Sequence, residues 1–183
     1  MKIMIASDIH GSAKYCRMML DRYEKEKAGR FLLLGDLLYH GPRNDLPEEY
    51  APKRVAEMLN AKKDEIFCVR GNCEAEVDQM MLAFPVLADY ALMPLGNRMA
   101  FITHGHVYHK ENLPPVKAGD ILLHGHTHVP ACEAAGACMV LNPGSVSIPK
   151  NGTPRSYMIL DGETFTWKTL DGEVFNRYSA EGT

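Results

Sequence analysis

Five short apolar runs in this chain each stop at a glycine-bearing cluster of Asp, Asn or His, and no other feature limits its fold so strongly. Ile3-Met4-Ile5-Ala6 leads into Asp8-Ile9-His10-Gly11, Phe31-Leu32-Leu33-Leu34 into Gly35-Asp36, and Ile66-Phe67-Cys68-Val69 through Arg70 into Gly71-Asn72. Ala100-Phe101-Ile102-Thr103 leads into His104-Gly105-His106, and Ile121-Leu122-Leu123 into His124-Gly125-His126-Thr127-His128. Apolar runs of this length read as buried strands, and the glycines as the turns that end them. The polar residues then sit at the carboxyl ends of strands, the edge at which open α/β sheets bind ligands. Asp8 and His10, two apart on an extended chain, point to the same side and can share one metal ion. A single His beside an apolar run is ordinary, but five such coincidences point to a site.

The connections fit that reading. Ser12 is a good helix N-cap, Cys16, Met19, Leu20 and Tyr23 share one helical face, and Gly29 supplies the stop. The opening is therefore a βαβ unit with adjacent parallel strands, and Asp8 and Asp36 end on one edge. Residues 39 to 50 are polar, Pro-bearing and longer than an ordinary connection, which makes them a lid, a surface loop or part of a contact between copies of the chain. Pro52 fits the first position of a helix carrying Val55, Met58 and Leu59, and Val77, Met80, Met81 and Phe84 indicate another helix closed by Pro85. Beyond it, Gly96-Asn97, Ala135-Gly136, Asp161-Gly162 and Asp171-Gly172 are hairpin turn signals, so the second half is expected to be largely antiparallel β. The expected architecture is α/β: a two-sheet β-sandwich flanked by helices, with all of 1–183 in a single domain.

Composition narrows the function. A length of 183 residues suits one substantial core, and a formal net charge of −3 leaves no basic footprint for duplex nucleic acid. The five cysteines, Cys16, Cys68, Cys73, Cys132 and Cys138, are odd in number and lack C-x-x-C spacing, as reduced cytosolic thiols would. No membrane span, anchor or signal segment is expected.

Collected at one edge, the candidate ligands are Asp8, His10, Asp36, Asn72, His104, His126 and His128. Seven donors are too many for one ion, and none is the thiolate that a structural zinc site favours. Two ions bridged by one carboxylate would use them all, as in many phosphatases and nucleases. Asp36 is the better bridge, because it ends the inner strand of the opening pair while Asp8 arrives already paired with His10. Mixed oxygen and nitrogen donors suit divalent transition metals, with Mn first and Fe or Zn also fitting, over Mg or Ca.

In order, Asp8-x-His10, Gly35-Asp36, Gly71-Asn72-Cys73-Glu74, His104-Gly105-His106 and Gly125-His126-x-His128 resemble the five signature blocks of the calcineurin-like metallophosphoesterases. The length, the stretch from Asn44 to Pro52, and Asn142-Pro143-Gly144-Ser145 look most like the small bacterial YfcE-type phosphodiesterases. The resemblance implies a four-layer α/β/β/α fold and a phosphoric diester hydrolase acting on small or activated phosphodiesters through a metal-bound hydroxide. It implies that Asp8, His10, Asp36 and His128 hold one ion, and Asp36, Asn72, His104 and His126 the other.

One position departs from the family pattern. Cys73 stands where most of the superfamily has the His credited with protonating the leaving group, so it is the candidate catalytic residue, or else a small residue filling that place. His106 and His124 are read as partners that orient a ligand, His40 and His109 as solvated, and Arg43 and Arg70 as possible phosphate contacts, Arg70 equally as a structural ion pair. Two alternative functions share the fold. A nuclease would want more basic surface than this chain has, and a retromer-subunit-like scaffold carries a degenerate site where this chain keeps all seven ligand types.

Overall fold

A computed structural model describes residues 1–180. The elements follow one another as β1 (Ile3–Ala6), α1 (Ala13–Glu26), β2 (Arg30–Leu33), α2 (Pro52–Asn60), β3 (Ile66–Cys68), α3 (Glu76–Met81), β4 (Tyr90–Leu95), β5 (Arg98–Thr103), β6 (Ile121–Leu123), β7 (Ala131–Ala135), β8 (Cys138–Asn142), β9 (Ser156–Asp161), β10 (Thr164–Thr169) and β11 (Val174–Ser179). One sheet has the order β11-β10-β9-β1-β2-β3, the other β4-β5-β6-β8-β7.

Side-chain alternation builds the layers. Met4, Ala6, Phe31 and Leu33 face α1 and α2, where they meet Cys16, Met19, Tyr23, Val55 and Leu59. Ile5 and Leu32, one residue out of phase, face the second sheet and pack with Leu95, Ile102, Leu123 and Leu141. Trp167, fully buried between the sheets, donates its indole N–H to the Asn142 carbonyl at 2.7 Å, so this polar group costs nothing in the core. The outer face of the second sheet, Phe101, Leu122 and Val140, is covered by Tyr108, Leu113 and Val116 from the irregular segment after β5.

The βαβ opening is as expected, with β1 and β2 parallel and β3 parallel to β2. The second half differs from its expectation. The glycine turns do form hairpins, β4/β5, β7/β8, β9/β10 and β10/β11. However, β5, β6 and β8 pair in parallel, and β9 joins the first sheet beside β1. Hairpin signals report local turn chemistry and say nothing of strands joined by longer connections. The parallel pairing has a consequence for the site, since it carries His104 and His126 to the same sandwich edge as Asp8 and Asp36.

Two local expectations are also corrected. Helix α1 stops at Lys27, which takes the left-handed conformation at φ 53°, two residues before Gly29. Helix α3 spans only Glu76–Met81 and buries none of its side chains, leaving Val77 61% and Met80 84% exposed. The side chain of Asn60 ends that helix, donating to the Met81 carbonyl and accepting from the Ala83 N–H, so that Leu82 and Phe84 turn into the core instead.

Candidate metal centre

All seven sequence-predicted ligands converge at one edge of the sandwich, and the backbone there is strained to bring them in. Of the eight non-glycine residues with positive φ among the described residues, five are Asp8, His10, Asp36, His126 and His128. Each such conformation costs on the order of 1–3 kcal/mol, and strain of this kind gathers at functional sites. The loops also approach closely. A Cβ on Gly71 would lie 2.2 Å from Asp36 Oδ1, and one on Gly125 2.0 Å from Ser7 Oγ, so only glycine fits at either place.

Hydrogen bonds on the far side of three rings determine their tautomers. His10 Nδ1 lies 2.8 Å from the Tyr39 carbonyl, His104 Nδ1 2.6 Å from that of Leu34, and His128 Nδ1 2.6 Å from that of Ile148. A carbonyl only accepts, so each Nδ1 carries a proton, and each Nε2 turns inward, with a lone pair to offer a metal whenever the ring is neutral. Yet His10 Nε2 and His128 Nε2 are 3.1 Å apart, and His104 Nε2 is 3.2 Å from His126 Nδ1. Between them stand the carboxylates. Asp8 Oδ1 is 3.3 Å from His128 Nε2 and 3.6 Å from His10 Nε2, while Asp36 Oδ2 is 3.4 Å from His104 Nε2 and 3.7 Å from His10 Nε2. Asn72 Oδ1 faces His104 Nε2 at 3.1 Å. Buried Asp8 Oδ1 has no hydrogen-bond donor of its own. Converging acceptors of this kind repel one another unless a cation or a proton lies among them, and the mixture of carboxylate, amide and imidazole suits a divalent metal.

Two sets of donor atoms lie close enough together to ligate one ion each: Asp8, His10 and His128, and Asp36, His104 and His126. Asp36 is also grouped with His10 and Cys73, which places it between the two sets.

The electrostatics follow from the same contacts. Burial would raise the Asp8 carboxyl, but the His10 and His128 imidazoles facing it outweigh that and hold the group well below the usual carboxylate range. Burial likewise opposes charge on His104, but Asp36 and Asp8 lift it to about 9. His126, desolvated and facing His104, falls to about 4. The Cys73 thiol is pushed far up, first by burial and then by the charge of Asp36.

Glu74, Ser147 and Lys150, which frame the site, are given no role by the sequence reading, while the Asn142–Ser145 stretch is read there as pocket wall or turn. Glu74, 4% exposed, accepts the backbone N–H groups of Asp36, Leu37 and Gly71 at 2.8, 2.7 and 2.5 Å, clamping two ligand-bearing loops together. The hydroxyls of Ser145 and Ser147 donate to the Asp8 carbonyl at 2.9 and 3.0 Å. Asn142 Nδ2 donates to the Gly125 carbonyl at 2.7 Å, so the Asn142–Ser145 stretch holds loops in place. Lys150 lines the central cavity with Arg43 and Asn44. Arg70 instead donates to the Glu74 carbonyl at 3.2 and 3.3 Å and is structural. His40 is corrected from solvated to half-buried, wedged edge-on between Tyr39 and Tyr50. His109 pairs with Glu111 at the surface, buried His124 lies against the Gly125 carbonyl, and His106 stands beside His104 and His126.

Glu74→Gln is expected to put an amide NH₂ against one of these backbone donors. That should cost about 1–3 kcal/mol of stability, and metal affinity should fall about 10–100-fold, the usual effect of losing a group that orients ligands. Urea unfolding and a metal titration of the variant measure both; a variant unchanged in both would leave Glu74 without a role in framing the centre.

An α/β sandwich whose strand ends gather carboxylates and imidazoles around a cation-binding centre is the architecture of a metal-dependent hydrolase. Residues 1–164 match the calcineurin-like phosphoesterase superfamily domain, and the chain belongs to that superfamily, whose members use divalent metal ions. It is 48% identical to phosphodiesterase YfcE of Escherichia coli strain K12 over 173 residues, 94% of each chain. The solved structure of the E. coli phosphoesterase Yfce superposes with a TM-score of 0.94 at 44% identity, covering 99% of this chain and 100% of that one. Vps29 of Entamoeba histolytica superposes with a TM-score of 0.63 at 24% identity over 98% of this chain and 99% of that one, a likeness of fold alone.

Proposed function

We propose that the chain is a metal-dependent phosphodiesterase, a phosphoric diester hydrolase for small or activated phosphodiesters, with two divalent ions held at one centre. The observation that carries this reading is two pairs of opposed imidazole nitrogens, with the other ring nitrogen of His10, His104 and His128 already committed to a backbone carbonyl. Asp8, His10, Asp36 and His128 would hold one ion, and Asp36, Asn72, His104 and His126 the other, with Mn first among metals that accept such donors. When bound, divalent ions acidify water to make a nucleophile at neutral pH and neutralise charge on the phosphoryl group.

The rest is the work of the chain. Arg43 and Lys150, both lining the central cavity, offer positive charge to the non-bridging phosphoryl oxygens. The 39–50 segment forms one wall of that cavity and is docked on the start of α1 by Ser12 Oγ to the Glu48 carbonyl at 2.7 Å and by Arg17 to Glu49 at 2.9 Å. A diester brings one negative charge fewer than a monoester to a site containing Asp8 and Asp36, which favours diesters. Intact donors at all seven positions favour an enzyme over a scaffold, and a net charge of −3 favours a small substrate over duplex nucleic acid. We read the chain as one domain acting in the cytosol, alone or self-associated; all five cysteines are unpaired, and no helix among the described residues is long and apolar enough to cross a membrane.

The test is hydrolysis of a chromogenic bis-aryl phosphate. Activity should disappear on chelation and return with Mn at least as well as with Mg; hydrolysis that persists in excess chelator would contradict the reading.

Chelation should also expose a pH dependence of stability. Burial and the charge of Asp36 raise Glu74 to about 7, and Asp36 and Asp8, overcoming burial, raise His104 to about 9. A group whose folded pKa is raised contributes fully below its unfolded pKa, near 4.5 for Glu74 and 6.5 for His104, and loses that contribution as pH rises through the folded value. The depressed Asp8 and Asp36 act at the other end, losing their contribution only as pH falls below the ordinary carboxylate range. The chelated protein should therefore lose on the order of 5–10 °C in Tm between about pH 6 and 9. The metal-loaded protein should lose less, because metal displaces the His104 proton. Equal slopes in thermal melts with and without chelator would rule this out.

A further inference from the structure

On the flank of the metal centre marked by Cys73, a cavity of about 470 Å³ opens between the loop after β2, the start of α2, and α3. Leu38, Tyr39, Tyr50, Val77 and Met81 give it a mostly apolar wall, and its size is that of a small-molecule pocket. Cys73 belongs to this cavity and to the central one alike, and its Sγ lies within 4.8 Å of the donor atoms of His10 and Asp36. The apolar space therefore begins at the reacting centre. It also accounts for α3, whose side chains Val77 and Met81 remain 61% and 44% exposed instead of packing into the core. A second cavity next to the centre has a more polar lining. His126 joins the central cavity to this one, of about 420 Å³, which is lined by His106, His109, Lys110, Glu111 and Glu133. A phosphodiester has two ester arms, and each of these two cavities shares a residue with the central one.

We propose that the apolar cavity is an ester-arm subsite that takes an aromatic or other planar apolar substituent of the substrate, an inference that rests on the phosphodiesterase reading above. Cys73 forms the entrance, and its short side chain leaves the ring room to enter beside the phosphoryl group.

Calorimetric titration of the metal-loaded protein with methyl phenyl phosphate and with dimethyl phosphate tests the proposal, since the two carry the same charge and differ in one arm. The phenyl ester should bind about tenfold tighter or more, the gain from burying most of a ring. Two variants act on different walls: Val77→Asn with Met81→Gln makes the α3 side polar without adding charge, and Ala75→Phe fills the space. In each, the affinity ratio should fall toward one. Val77 and Met81 bury little on folding, so the first variant keeps the test open if Ala75→Phe is poorly folded. Dimethyl phosphate binding with no phenyl preference in the parent protein, or a preference unchanged in both variants, overturns the subsite alone. Failure of both diesters to bind overturns the phosphodiesterase reading and the subsite with it.

Discussion

Asp36→Asn is expected to lower aryl diester turnover by more than about 10³-fold and to loosen both metal ions together. Removing one charge-stabilising donor from an active site costs about 10²–10³-fold, and in the proposed centre Asp36 would support both of the ions that stabilise the phosphoryl charge. Its Oδ2 lies 3.4 Å from His104 Nε2 and 3.7 Å from His10 Nε2, while its Oδ1 accepts the Cys73 N–H at 2.9 Å. An amide keeps the shape but has one acceptor oxygen, so it can serve the Cys73 N–H or a metal, not both. It also removes the charge that holds His104 protonated in the chelated protein. Asp8→Asn is the control. Asp8 Oδ1 faces only His10 and His128, so that variant should loosen one ion and keep more of the other. Equal metal loss from the two variants, measured by elemental analysis after dialysis, would show that Asp36 is not shared.

The second large effect concerns the leaving group. With Cys73 in place of the usual His, and its thiol pushed up by burial and by Asp36, no good proton donor stands at that position at neutral pH. The rate should therefore depend steeply on leaving-group pKa, with aryl diesters cleaved far faster than alkyl diesters. General acid catalysis is worth about 10²–10⁴-fold, which bounds what Cys73→His can restore for alkyl esters. Cys73→Ser should change aryl diester turnover only modestly, because the backbone N–H that holds Asp36 Oδ1 is kept. A leaving-group series on the parent and both variants at fixed Mn decides the point. Collapse of aryl diester turnover in Cys73→Ser alone would make the thiol a working catalytic group.

The site was more legible in the sequence than the sheet that completes it. Asp8, Asp36, His104 and His126 each lie within three residues of the end of an apolar run, so strand periodicity and turn glycines locate them without tertiary information. The parallel pairing of β5, β6 and β8 is set by packing over long connections, for which the Gly136 and Gly162 turns give no signal. Helix α3 misled because Val77, Met80 and Met81 keep a helical spacing while facing solvent, and periodicity cannot distinguish a core from a cavity wall. Glu74 did leave a trace, a carboxylate directly after Gly71-Asn72-Cys73. Its role emerges only once three backbone N–H groups from two loops are seen to converge on it.

Two ions sharing Asp36 are the core of the proposed centre. The most direct measurement is the number of metal ions per chain, by elemental analysis of protein reconstituted with excess Mn and freed of unbound metal. Two ions per chain in the parent, with both reduced in Asp36→Asn, is the expected result; a fully active preparation saturating at one ion per chain would contradict it.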